Sequence, residues 1–193
     1  MRPIASKLLI CAALAFALTG CLEETTAELP PPQEISRDAV GHYCGMIVVD
    51  HPGPKAQLFI AGLEHPVWFS SVRDAFAFMK LPGEAKNVRA IYVNDMGKAT
   101  NWTAPEDGTW IDARKAYFVL GSDRRGGMGA KETVPFSSED AANAFIARHG
   151  GTIAAFSDIP VDYVLGDDEA PSPRGSHHGD QDDHGAKNQG SES

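Results

Sequence analysis

The chain has 193 residues, 42% of them hydrophobic and 22% charged, with a formal net charge of −9 at neutral pH. That length suits one ordinary domain or two very small ones. The acidic balance argues against nucleic acid or an anionic lipid surface as the partner of the folded part.

In chain order, Arg2 and Lys7 precede the apolar run "LLICAALAFALTG", which closes on "LTGC". This is the pattern of a secretory signal with a lipobox over residues 1–20. The run is shorter than a comfortable span of about 20 apolar residues, so cleavage is expected before Cys21, which takes the lipid. Acyl chains on Cys21 would hold the protein at a membrane surface, and Leu22 leaves inner and outer membrane both open. Residues 21–38 contain a triple proline and read as an extended, lipid-anchored tether, disordered at its N-terminal side of the fold. Cys11 departs with the signal and Cys21 is consumed by lipid, so Cys44 stands alone and no intramolecular disulfide is expected.

Folding is expected over 39–165. There "VWFSSVRDAFAFM" (67–79) and "VPFSSEDAANAFIARHG" (134–150) share a short strand, the punctuation "FSS" and a helix rich in alanine and phenylalanine. Ser70 or Ser71, and Ser137 or Ser138, suit N-caps, and early acids in the following turns suit the helix dipole. Two strand candidates precede each helix: 43–50 and 56–62 (running on to "PVWF") in the first half, 116–122 and 132–136 in the second. One follows each, at 88–93 and 152–159. The expected fold class is therefore α+β, two tandem small ββαβ-type repeats at 39–96 and 116–165, joined by a turn-rich linker at 97–115. Residues 166–193 lack aromatic and large aliphatic side chains, and are expected to be a disordered His/Asp-rich tail. Its His177, His178 and His184 read either as loose metal donors or as part of a solubilising segment.

Sulfur placement is the unusual feature. Met46, Met96 and Met128 sit beside glycine in "CGM", "NDMG" and "GGMG", whereas Met79 falls on a helix stripe as ordinary gap-filler. On the expected strand 43–50, Cys44 and Met46 share a face at i and i+2, and His42 falls there too. A converging thiolate and thioether are soft donors that favour Cu(I), while no CxxC or HxxxH offers a structural zinc site. Spacing alone leaves a copper ligand pair and a buried strand cysteine both open. His42 taken by itself reads as a surface or hydrogen-bonded core residue. A thiol-dependent lyase or transferase would use Cys44 as nucleophile with His42, His51 or His65 as base, but no spacing matches a thiol-enzyme motif. A metal-free adaptor docking on a membrane complex through exposed Trp102 and Trp110 is a third reading. No glycine-rich phosphate loop follows a strand.

The segments "GHYCGM", "HPGPKAQ", "PVWFSSVRDAFAF", "AIYVNDMGKA", "WIDARKAYFV", "GGMGAKETVPFSS" and "HGG" occur in this order behind the lipobox. Through them the chain resembles the NosL family, copper-binding lipoproteins of nitrous oxide reductase maturation, over nearly the whole folded region. The resemblance implies tandem ββαβ-type units and a non-enzymatic, periplasm-facing metallochaperone. Such a protein binds one Cu(I) and supplies nitrous oxide reductase together with the Nos ABC-type assembly complex. Cys44 and Met46 match the family's Cys-Gly-Met, and Met128 matches its Gly-Met-Gly. The resemblance also brings in Met96, whose motif suits a ligand, a turn or a docking surface. His42 and His65 enter as candidates for a nitrogen ligand or for a neighbouring second metal such as Zn(II). No function carries over to the histidine-acid tail.

Overall fold

The computed structural model describes residues 28–166. The signal, the lipidation site Cys21 and all of the expected tail after Gly166 lie outside the described residues. The chain divides between Pro31 and Pro32. Of the first unit only residues 28–31 are described, and they form neither helix nor strand. The second unit holds every described element.

In that unit β1 (Ala56–Ile60) pairs antiparallel with β2 (Val67–Phe69) on one side and β3 (Val88–Asn94) on the other. Helix α1 (Val72–Lys80) connects β2 to β3, and β4 (Trp110–Asp112) extends the sheet to the order β2-β1-β3-β4. The second copy repeats the plan with β5 (Tyr117–Leu120), β6 (Val134–Phe136), α2 (Glu139–His149) and β7 (Thr152–Ala155). Its sheet order, β6-β5-β7, again puts the first strand of the repeat in the middle. A short α3 (Val161–Leu165) follows. The architecture is thus the α+β tandem of ββαβ units expected from the repeated "FSS" segments.

One expected strand is corrected. Residues 43–50 form a turn followed by a 3-10 helix at Val48–Asp50. Gly45 takes φ 64°, a left-handed conformation that breaks an extended run. Val48 is fully buried while its neighbour Val49 is 39% exposed, and no alternation continues toward the turn. The two strands preceding α1 are instead β1 and β2, the second of them only three residues long.

The segment read as a tether also joins the fold at its C-terminal end. Gln33 and Gln57 exchange two hydrogen bonds, each of 2.9 Å, between the backbone of the first and the side-chain amide of the second. This explains how a glutamine sits fully buried in the central strand. Glu34 accepts from the Gly108 amide and from Trp110 Nε1.

A single apolar cluster runs through both repeats, joining Leu58, Phe69, Phe76 and Ile91 to Phe118, Leu120, Ile159 and Val164. Phe76 of α1 meets Phe118 of β5 edge to face, centroids 5.1 Å apart. All five residues of β1 are buried, as a strand covered on both faces requires. The repeats therefore share a core, and their mutual placement is fixed by packing. That placement matters because the site draws on both.

Candidate metal centre

Residues 39–48 make a tight hairpin-like turn. Val40 bridges Ile47, Val48 N donates to Ala39 O, and the Gly41 amide donates to Met46 O at 2.9 Å. Gly45 N returns to Gly41 O, so Cys44-Gly45-Met46 forms the closing side of the loop. Gly41 bridges Trp68 in parallel, and His42 N donates to Trp68 O at 2.8 Å. The turn thereby covers the free edge of β2 and brings Cys44 to the residue that follows it, Ser70.

Cys44 Sγ lies 3.6 Å from Ser70 Oγ and rests on the bare Cα of Gly41, where a Cβ would come within 2.5 Å of the sulfur. The thiol is free and partly exposed. From the second repeat, the 125–131 loop closes through an Arg125–Lys131 bridge with Met128 near its tip. Gly127 in that loop packs so tightly that a Cβ would sit 2.8 Å from Ser70 O and 2.7 Å from His51 Cβ. Only glycine allows that approach. Ser70 thus touches Cys44 through its hydroxyl and the Met128 loop through its carbonyl. Met46 and Met128 present their thioethers to solvent, 44% and 52% exposed, in contrast to Met79, which packs against the main core.

The other predicted positions fall elsewhere. His42 packs tilted against Phe69 and edge-to-face against Phe78, ring centroids 5.6 and 5.2 Å away, and its Nε2 faces Glu84 Oε1 at 3.8 Å. Tyr43 donates to the same carboxylate at 2.9 Å, and burial together with that bond pushes the phenol well above its usual range. The strand-face alignment of His42 with Cys44 and Met46 disappears with the strand. Met96 packs against the second cluster around Phe136 and Phe145, and its amide donates to Pro135 O. Asp95 Oδ1 closes the turn there by accepting from Gly97 N at 2.9 Å. His65 is exposed in the β1–β2 turn, roughly 16 Å from Ser70 along an extended chain. Trp102 and Trp110 are half-buried. Trp102 stacks on Phe145 with Arg124 over its ring, and Trp110 packs on Trp68.

One donor was named from sequence only as a possible base for Cys44. His51 Nδ1 lies 3.2 Å from Gly127 O. A carbonyl only accepts, so Nδ1 is the donor in this contact. Nε2 is buried without a hydrogen-bond partner. An imidazole held through one nitrogen by a backbone carbonyl is arranged as metal-binding histidines are. No spacing announces it, because the contact spans 76 residues.

Beneath the loop lie two buried titratable side chains. Glu132 is 1% exposed and Lys55 2%. Desolvation pushes the Glu132 carboxyl up to about 7, against the pull of its hydrogen bonds from Thr133, Arg73 and Ser71. Desolvation likewise brings Lys55 down to about 8, with the Glu132 charge acting in the opposite direction. Among the described residues no group of three or more His, Cys, Asp or Glu side chains converges.

A family model described as NosL matches residues 32–164. The copper-binding lipoprotein NosL of Achromobacter cycloclastes is 48% identical over 157 residues, 81% of each chain. The copper-binding lipoprotein NosL of Stutzerimonas stutzeri is 36% identical over 181 residues, 92% of this chain and 91% of its own. The crystal structure of the copper chaperone NosL from Shewanella denitrificans superposes with a TM-score of 0.63 at 38% identity, covering 67% of this chain and 97% of that one. These relatives are named as copper-binding lipoproteins and as a copper chaperone, a non-enzymatic role.

Proposed function

The chain belongs to the NosL family, and on that premise we propose that it is a Cu(I)-binding metallochaperone in which Cys44, Met46 and Met128 hold the ion. The observation that carries this reading is the position of Ser70. It touches Cys44 Sγ on one side and, through its carbonyl, the glycine preceding Met128 on the other. The turn that carries Cys44 and Met46 and the loop that carries Met128 thus both pack against Ser70, which supports the reading.

Cys44 supplies the charged ligand and is deprotonated by the metal. Met46 and Met128 add neutral sulfur donors that do not titrate, so they bind at any pH the compartment reaches. Low coordination leaves a position that a partner's methionine or histidine can enter, passing copper on by stepwise exchange. Metal occupancy also shields the thiol and thioethers from oxidation. Lipidated at Cys21, the chain would work from a membrane surface facing the periplasm. There it would deliver copper for nitrous oxide reductase maturation beside the Nos ABC-type assembly complex. The thiol-enzyme reading has no support from relatives named as chaperones. The adaptor reading relied on exposed tryptophans, and both are half-buried.

Anaerobic competition against a coloured Cu(I) chelator tests the assignment. Wild type is expected to take up one copper, and Cys44→Ser and Met128→Leu to bind it more weakly. Unchanged affinity in both variants would remove these residues from the site.

A further inference from the structure

Glu132 belongs to the second repeat, yet its carboxylate serves the first. Ser71 occupies the N-cap position of α1 but makes no side-chain cap to its own helix. Its hydroxyl donates instead to Glu132 Oε1 at 3.3 Å, and that same oxygen accepts the orphan amide of Arg73 at 3.0 Å and the Thr133 amide at 2.8 Å. A side chain from across the repeat boundary thus caps α1. In α2, the equivalent Ser138 caps its own helix by accepting from Ala141 N.

The other oxygen, Oε2, is buried without a hydrogen-bond partner and presses on Gly126, where a Cβ would come within 2.3 Å of it. Gly126 begins the turn that carries Met128: its amide donates to Ala130 O, and Gly129 N donates back to Gly126 O, both at 2.9 Å. The backbone of Glu132 is held as well, because Tyr163 Oη donates to Glu132 O at 2.8 Å while accepting from Gly121 N. One residue therefore ties the base of the Met128 loop to the helix start that follows Ser70.

We propose that Glu132 is a positioning residue: it clamps the Met128 loop of the second repeat to the N-terminus of α1 in the first, and so sets the spacing between Met128 and Cys44. This rests on the reading of Met128 as a copper ligand. The carboxylate binds no metal in this scheme. It acts by keeping a solvent-exposed thioether on a loop from swinging away from a thiol on another.

The test is Cu(I) affinity, by chelator competition on the full chain in detergent, for wild type, Met128→Leu, Glu132→Ala, the double variant and Glu132→Gln. Glu132→Ala is expected to weaken binding by about 10- to 100-fold, the usual range for groups that orient ligands. Met128→Leu is expected to cost far less in the Glu132→Ala background than in wild type, because the loop is already released. Glu132→Gln, which keeps an acceptor toward the Arg73 amide, is expected to restore binding to near wild type. X-ray absorption of copper-loaded Glu132→Ala should show one sulfur fewer, a readout that loss of stability alone would not move.

Weakened Met128→Leu beside an unchanged Glu132→Ala, or strict additivity of the two, overturns the clamp and leaves the metal site standing. An unchanged Met128→Leu overturns the site reading and the clamp with it. If Glu132→Ala does not fold, Gly126→Ala displaces the carboxylate from the loop instead. The same coupling to Met128 is then expected, and its absence overturns the proposal.

Discussion

Replacing Glu132 by glutamine should change how stability depends on pH. Burial holds the Glu132 carboxyl at about 7 in the folded protein against an ordinary value of 4.5. At about 1.36 kcal/mol per pH unit, ionising it in place costs roughly 3 kcal/mol. The sign follows from the direction. A carboxyl raised by folding contributes stability fully below pH 4.5, and that contribution is lost as pH rises through about 7. Asp74 in the first turn of α1 reinforces the upward shift, and the Glu132 charge in turn acts on the buried Lys55. Urea unfolding of wild type and Glu132→Gln at a series of pH values from 4 to about 8 isolates the effect in the difference between the two curves. Wild type should lose roughly 3 kcal/mol relative to the variant across that window. Parallel curves would mean that Glu132 is solvated or ionised at little cost, and the buried clamp would be refuted.

Gly127→Ala should act on site and stability together, because its Cβ would meet Ser70 O at 2.8 Å and His51 Cβ at 2.7 Å. A loss of about 1–3 kcal/mol in denaturant unfolding, with weaker copper binding, is expected from that overpacking. Phe118→Ala removes a fully buried ring that meets Phe76 across the repeat boundary. It should cost about 3–5 kcal/mol in one cooperative transition, whereas a smaller loss or two separate transitions would show that the repeats do not share a core.

The repeat was legible because its signals are local. "FSS" marks the start of an alanine- and phenylalanine-rich helix with helical periodicity, and both α1 and α2 start directly after their second serine, although only Ser138 caps its own helix through its side chain. The segment from Tyr43 to Asp50 misled because its apolar residues resemble a strand, while the turn depends on one glycine at positive φ and on the edge of β2 it covers. Neither dependence is visible in spacing. Cys44, Met46 and Met128 are candidates through soft chemistry and glycine neighbours, signals that are local to each segment. The residues that join those loops could not. Ser70 meets Cys44 across 26 positions, Ser71 meets Glu132 across 61, and His51 meets Gly127 across 76. The last two pairs exist only once two repeats have packed on one core, and the first only once the 39–48 turn covers the edge of β2. The histidines that looked attractive in sequence, His42 and His65, were near Cys44 or in a turn. Folding takes the first to Glu84 and leaves the second at the far end of β2.

X-ray absorption at the copper edge of the Cu(I)-loaded full chain tests the central claim most directly, since it counts sulfur against nitrogen around the ion. A shell dominated by sulfur is expected, one thiolate from Cys44 and thioethers from Met46 and Met128, with loss of one sulfur in Met128→Leu. A shell of nitrogen and oxygen alone, or a sulfur count indifferent to Met128, would contradict it.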